Sequence, residues 1–81
     1  MNYKLLKNRN IKVTTKEELE FDAGEGVVLV PPADSKIYIH WLNDKGKTVS
    51  TFTLAYSSLI KNKCKIINGG KTDVLILAIT L

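Results

Sequence analysis

The chain has 81 residues and a formal net charge of +4, and 44% of its residues are hydrophobic. This length predicts one small domain over residues 1–81, because domains typically have about 100–150 residues, and the composition is that of a soluble globular protein. One Cys and one His exclude an internal disulfide, a cysteine-based zinc cluster and a His-rich metal site, so we expect neither a metal nor another cofactor.

Charge is divided into two blocks at the start of the chain. Residues 1–16 contain five basic residues and no acidic one, and residues 17–25 contain five acidic residues and no basic one. Residues 1–10 are either a flexible basic arm or part of a strand. The blocks provide complementary surfaces that set the register between subunits, or else they lie on adjacent strands that pair within one subunit. From them we select the candidate protein-interaction residues Lys4, Lys7, Arg9, Lys12, Lys16, Glu17, Glu18 and Glu20.

The first strands follow from alternation and turn residues. Ile11–Thr15 predicts a short strand. Glu18–Phe21 alternates charged with apolar residues, Asp22–Gly26 has turn composition, and Val27–Val30 is wholly apolar. These three segments predict a hairpin. The prolines at positions 31 and 32 end its second strand, because they cannot donate to a ladder.

The most distinct local pattern lies in the middle of the chain. Ile37–Leu42 has a period of two, Asn43–Lys47 supplies turn residues, and Thr48–Leu54 is rich in residues that favour strands. Together they predict a hairpin with a five-residue loop.

The last third predicts a connection and another hairpin. Leu54–Lys61 is compatible with one or two helical turns, but a connection between two sheets is the preferred interpretation. Cys64–Ile67 and Val74–Leu81 are expected to pair across Asn68–Gly70. Since Val74–Leu81 is apolar on both faces, it predicts a central strand, covered by the second sheet on one side and by a loop or a neighbouring subunit on the other.

These segments predict an all-β fold. About seven short antiparallel strands with regular turns indicate a small β-sandwich or a jelly-roll-like fold. The longest apolar run has eight residues, whereas a membrane helix needs about 20, so we expect no membrane partner. The chain also shows no signal-peptide pattern, and we expect synthesis in the cytoplasm.

Few residues have the spacing that catalysis requires. Gly69–Thr72 resembles the end of a phosphate-binding P-loop, but Lys65 occupies the position of its first glycine. His40 could act as a base beside Ser57 or Ser58, although a packed strand histidine accounts for it more simply. Cys64 lies between two lysines that could lower its pKa, or it is a small core residue. We expect a protein that is not an enzyme.

The alternative function is nucleic-acid binding by a small oligonucleotide-binding β-barrel. In an extended segment, three lysines with a spacing of two would project from one face and contact phosphates. These residues are Lys61, Lys63 and Lys65. No aromatic residue that could stack on a base lies within the segment.

One resemblance favours a structural function. Val28–Thr53, the Asn-Gly-Gly-Lys-Thr-Asp turn and the apolar Val74–Leu81 together resemble the small all-β virion proteins of tailed phages. The resemblance is to decoration and auxiliary capsid proteins. It implies a structural protein in many copies on a capsid, oligomeric, made in the host cytoplasm and located in the virion, with other capsid or shell subunits as partners.

Overall fold

The described residues form strands only. The computed structural model describes residues 7–80, and of Lys7 the backbone alone. These residues form eight β-strands and no helix. The strands are β1 (Lys7–Val13), β2 (Glu18–Phe21), β3 (Val27–Val30), β4 (Ile37–Leu42), β5 (Thr48–Thr53), β6 (Ser58–Ile60), β7 (Cys64–Asn68) and β8 (Val74–Thr80).

The strands form two antiparallel sheets with jelly-roll connectivity. Sheet A has the order β1-β8-β3-β6, and sheet B has the order β2-β7-β4-β5. The pairs β1–β8, β2–β7, β3–β6 and β4–β5 form one long antiparallel ribbon, which is folded so that successive pairs alternate between the sheets. This folding defines an eight-stranded jelly roll. The predicted all-β sandwich is thus confirmed, with eight strands rather than about seven.

The core lies between the two sheets. Alternate residues of each strand point inward, as the pleat requires. A fully buried aliphatic side chain contributes about 1.5–3 kcal/mol relative to an exposed one, so these residues account for much of the stability. The fully buried members, at 0% exposure, are Leu29, Ile37, Ile39, Ile60, Cys64, Ile66, Ile76 and Ala78.

The central hairpin was predicted correctly. β4 and β5 pair, and residues 43–47 form the loop between them. The side-chain oxygen of Asn43 accepts hydrogen bonds from the backbone N–H groups of Lys45 (2.9 Å) and Lys47 (3.0 Å). Gly46 has a φ of 77°, a conformation that glycine adopts without a steric penalty.

The other two predicted hairpins were wrong. β2 pairs with β7 rather than β3, and β3 pairs with β6 and β8. Likewise β7 and β8 lie in different sheets. Both predicted turns do form. In the turn before β3, Gly26 N–H donates to the Ala23 carbonyl at 3.0 Å. Each turn carries the chain from one sheet to the other, and turn residues do not distinguish such a crossing from a hairpin.

Three further predictions concern the N-terminal residues, the segment after β5 and the last strand. Residues 7–10 belong to β1, so the arm interpretation is wrong for them, while residues 1–6 and Leu81 lie outside the described residues. The segment after β5 connects the sheets as predicted and also contains β6. β8 lies between β1 and β3, which confirms a central strand. Only its inner side is covered by the second sheet.

Candidate protein-interaction surface

The outer face of sheet A carries apolar side chains. In β8, buried Ile76 and Ala78 alternate with Leu75, Leu77 and Ile79, which therefore face outward. The register places Val30 beside Leu77, and it places Val28 between Ile79 and Leu59. We call these six residues the outer patch: Val28, Val30, Leu59, Leu75, Leu77 and Ile79.

The outer patch is accessible in the described part of the chain. Leu75 is 58% exposed and Leu59 is 47% exposed, and the other four members are half-buried. An antiparallel sheet normally presents polar residues on the face that meets water. A contiguous apolar group on such a face is typical of a surface that binds another molecule.

The outer patch has a polar border along β1. Asn8, Asn10 and Lys12 lie opposite Ile79, Leu77 and Leu75, respectively. The ammonium group of Lys12 lies 3.8 Å from a carboxylate oxygen of Asp73, beyond the end of the patch. An apolar centre that lacks charge, beside a polar rim, is the usual anatomy of a protein–protein interface.

The outer face of sheet B is different. Glu20, Lys65, His40 and Thr51 form one cross-strand row there. In the neighbouring row, Glu18 forms an ion pair with Lys65, with 3.1 Å between Oε2 and Nζ. The same row contains Ile67 and Tyr38, so charged and apolar side chains are mixed on this face, whereas the outer patch of sheet A contains apolar side chains only.

The structure separates the two charged blocks. β1, with Lys7, Arg9 and Lys12, is an edge of sheet A, and β2, with Glu18 and Glu20, is an edge of sheet B. β1 pairs with β8 and β2 with β7, so the interpretation that the blocks pair as adjacent strands is wrong. Lys16 and Glu17 lie in the connection between the two edges. Lys4 and the side chain of Lys7 are outside the described residues.

Arg9 contacts the interior rather than extending from an arm. It alternates with Ile11 and Val13, so it lies on the inner face of β1. Its guanidinium carbon lies 5.6 Å from the centroid of the Phe21 ring in the opposite sheet. This cation–π contact contributes about 0.5–1 kcal/mol at an exposed position.

The candidate nucleic-acid residues do not form the predicted row. Lys61 and Lys63 lie in the connection between β6 and β7, and Lys65 is engaged by Glu18. Lys63 lines an open groove of about 600 Å³ together with Glu20 and Asp44, whose carboxylates oppose phosphate binding. The fold also differs from the five-stranded barrel that the alternative function would need.

The residues considered for catalysis are separated. His40 is on the outer face of sheet B, whereas Ser58 belongs to β6 of sheet A and Ser57 precedes it. Cys64 is fully buried, and burial raises the pKa of its thiol to about 11 instead of lowering it. Residues 7–80 contain no cluster of three His, Cys, Asp or Glu side chains that could hold a metal ion.

The glycine-rich segment 69–72 is a connection between the sheets. It follows Asn68 at the end of β7 and leads into β8, not into a helix. A side chain at Gly69 would collide with the ring of Tyr38, so it could be accommodated only if this exposed ring moved. Gly70 N–H donates to the Asn68 side-chain oxygen at 2.8 Å, which fixes the turn.

Comparison with known proteins does not assign this chain to a class. No protein family, curated protein or solved structure matches the chain. Residues 7–80 form no helix that could cross a lipid bilayer. The fold is an all-β jelly roll, and the surface feature that distinguishes it is the outer patch. The sequence indicated this patch in part, through the apolar residues on both faces of β8. It did not indicate that β3 and β6 contribute residues to the same face.

Proposed function

We propose that this chain is a non-enzymatic structural protein of a tailed-phage virion, a capsid decoration or auxiliary protein that attaches to shell subunits through the outer patch. The observation that carries the proposal is the uncharged apolar face formed by β8, β3 and β6. Its most exposed members are Leu75 and Leu59.

The energetics of the outer patch favour a protein partner. Each square ångström of apolar surface removed from water contributes about 25 cal/mol. A folded shell subunit can cover a whole sheet face at once, and Val28, Leu77 and Ile79 would form the centre of that contact. The polar border along β1 would lie at its rim.

The fold is compatible with this function. Jelly rolls occur in viral capsid proteins, and they also occur in lectins and cupins, so the fold alone does not assign a function. The outer patch, rather than the strand order, therefore supports the choice of a structural role.

The charged edges add orientation to this attachment. Lys12 lies on the edge of sheet A, and Glu18 and Glu20 lie on the edge of sheet B. The contact between Arg9 and Phe21 places these two edges at the same side of the sandwich. Exposed charges contribute little to affinity, but complementary ones select register and orientation between subunits. Neighbouring copies on a shell would be oriented in this way.

The test is the protein content of purified particles. The probe is a tailed phage whose genome carries the gene, purified by density gradient and analysed by quantitative mass spectrometry. We expect this chain in many copies per particle, retained after a wash at high salt. Its absence from the particles would contradict the proposal. Binding of the purified chain to DNA, with an affinity that falls steeply as salt rises, would favour the nucleic-acid function instead.

A further inference from the structure

The four edge strands of the sandwich differ in how they are protected. β1 carries Arg9 and Lys12, β2 has four residues that include Glu18 and Glu20, and β6 has only three residues. Charge and short length are the usual means by which edge strands avoid pairing with other chains. β5 has six residues, Thr48–Thr53, with neither a charge nor a proline. It is the unprotected edge of the described structure.

The hydrogen bonds of β4 and β5 show which groups of this edge point outward. Leu54 N–H donates to the Ile37 carbonyl at 2.8 Å, so these opposed residues form a hydrogen-bonded pair. Hydrogen-bonded and non-hydrogen-bonded pairs alternate along an antiparallel ladder. Phe52 therefore directs its backbone groups towards β4, and Thr51 and Thr53 direct theirs away from it. The ladder is regular at these residues and becomes irregular only opposite Trp41 and Leu42.

The side chains of the edge also suit strand addition. Thr51 and Thr53 are exposed, and Phe52 is half-buried with its ring centroid 5.6 Å from that of Trp41. β-Branched and aromatic residues are the ones that stabilise cross-strand pairs. An uncharged edge can pair with an identical edge without repulsion.

We propose that β5 pairs antiparallel with β5 of a second copy of this chain, about a two-fold axis at Phe52. In this register Thr51 of each copy lies opposite Thr53 of the other, and these residues exchange about four backbone hydrogen bonds. The two Phe52 side chains meet as a non-hydrogen-bonded pair, in which side chains approach most closely. Sheet B then continues through both subunits.

The pairing has a consequence for the outer patch. A two-fold axis that relates antiparallel neighbouring strands runs perpendicular to the sheet, so it preserves the side to which each sheet faces. Both outer patches therefore face the same side of the dimer. This self-association goes beyond the proposed attachment to a shell, and it holds or fails independently of it.

The experiment uses charge pairs that report the register. In Thr51→Lys/Thr53→Lys, lysines oppose each other at both positions, whereas in Thr51→Lys/Thr53→Glu each Lys opposes a Glu. Sedimentation velocity over a concentration series at low salt gives the dimer dissociation constant, and circular dichroism checks that each variant is folded. We expect a dimer for the natural chain, an increase in its dissociation constant of at least roughly tenfold for the Lys/Lys variant, and recovery to within about threefold for the Lys/Glu variant.

Two further variants separate the alternatives. Thr51→Pro removes an outward N–H without removing a bond to β4, and it should weaken the dimer. Leu59→Lys/Leu75→Lys changes the outer patch and should leave the dimer intact. The proposal is overturned if the natural chain is monomeric at millimolar concentration, if the Lys/Lys variant dimerises like the natural chain, or if the Lys/Glu variant is no better than Lys/Lys. It is also overturned if the outer-patch variant abolishes the dimer.

Discussion

The side-chain amide of Asn68 donates a hydrogen bond to the backbone carbonyl of Val13 at 3.1 Å, across 55 residues of sequence. The same nitrogen donates to the Thr72 carbonyl at 2.7 Å, and the side-chain oxygen accepts from Gly70 N–H. Asn68 is 4% exposed and ends β7 in sheet B, whereas Val13 ends β1 in sheet A. The buried Asn68 amide therefore links the two sheets by hydrogen bonds at the point where the chain crosses between them.

This arrangement predicts a strong preference for Asn at position 68. Asn68→Ala leaves the Val13 and Thr72 carbonyls without this donor and should lower the free energy of unfolding by about 1–3 kcal/mol. Asn68→Asp should destabilise at least as much at pH 7, because a carboxylate only accepts hydrogen bonds. Urea denaturation measures both effects, with Asn62→Asp in an exposed loop as the matched control.

The Asp variant should also respond to pH. Protonation restores a donor, so the folded state raises the pKa of the introduced carboxyl above its value in the unfolded chain. Part of the stability missing at pH 7 should therefore return as pH falls towards 4, when compared with Asn62→Asp, because one O–H replaces one of the two hydrogen bonds that the amide donates. An Asn68→Asp protein as stable as the control at every pH would contradict the role given to the amide.

Cys64 should be chemically inert in the folded protein. Its thiol is fully buried, and its pKa of about 11 leaves roughly one molecule in a thousand as thiolate at pH 8. Iodoacetamide should modify it only when urea unfolds the chain. Ser57→Cys, at an exposed site, should give one reactive and one protected thiol in the same molecule.

The same shift predicts alkaline destabilisation. The thiol of the unfolded chain ionises near pH 9.0 and that of the folded chain near pH 11. Its contribution to stability is therefore complete below pH 9 and is lost as pH rises through 11. Chemical denaturation of the natural chain and of Cys64→Ala between pH 8 and 11 should show a steeper decline for the natural chain.

The central position of β8 predicts unequal effects of truncation. Deletion of residues 77–81 removes most of a strand that pairs with both β1 and β3 and carries the buried Ala78. This deletion should prevent folding, whereas deletion of residues 1–5, which precede β1, should be tolerated. Thermal melts of the two truncated chains provide the comparison. A C-terminal truncation that melts like the full chain would show that β8 is dispensable.

The basic residues of the first charged block should separate into two kinds. Lys12→Gln and Lys16→Gln should change the free energy of unfolding by less than about 0.5 kcal/mol, because both side chains are exposed. Arg9→Gln should cost about 0.5–1 kcal/mol, because it removes the contact with Phe21. Arg9→Lys retains the charge and should recover part of this loss. Equal effects at Arg9 and Lys12 would contradict the distinction.

The sequence was informative about strands and less so about their partners. Alternation in Ile37–Leu42 and the apolar run in Val74–Leu81 report local burial, which depends on residues close in sequence. Pairing of β2 with β7 joins Glu18 to Ile67, and no local pattern records that contact. Turn residues allow the chain to reverse but do not specify whether it stays in one sheet. For this reason two hairpins were predicted where the chain crosses between sheets.

For the outer patch, too, the sequence indicated the local features but not the contacts between residues distant in sequence. The sequence indicated that the second face of β8 needs a cover, because Leu75, Leu77 and Ile79 share it. It could not show that Leu59, distant in sequence, lies on that face through β3. Charge blocks were visible as composition, but the cation–π contact of Arg9 depends on how the two sheets stack.

The most direct test of the outer patch is incorporation of variants into particles. Cells infected with a phage that lacks the gene supply tagged chains in trans, and immunoblots of purified particles measure incorporation relative to the natural chain. Leu59→Lys/Leu75→Lys should fold normally, because both side chains are substantially exposed, and it should be absent from the particles. The control Ser57→Lys, which adds charge at an exposed loop, should be incorporated like the natural chain. Normal incorporation of the Leu59→Lys/Leu75→Lys chain would contradict attachment through the outer patch.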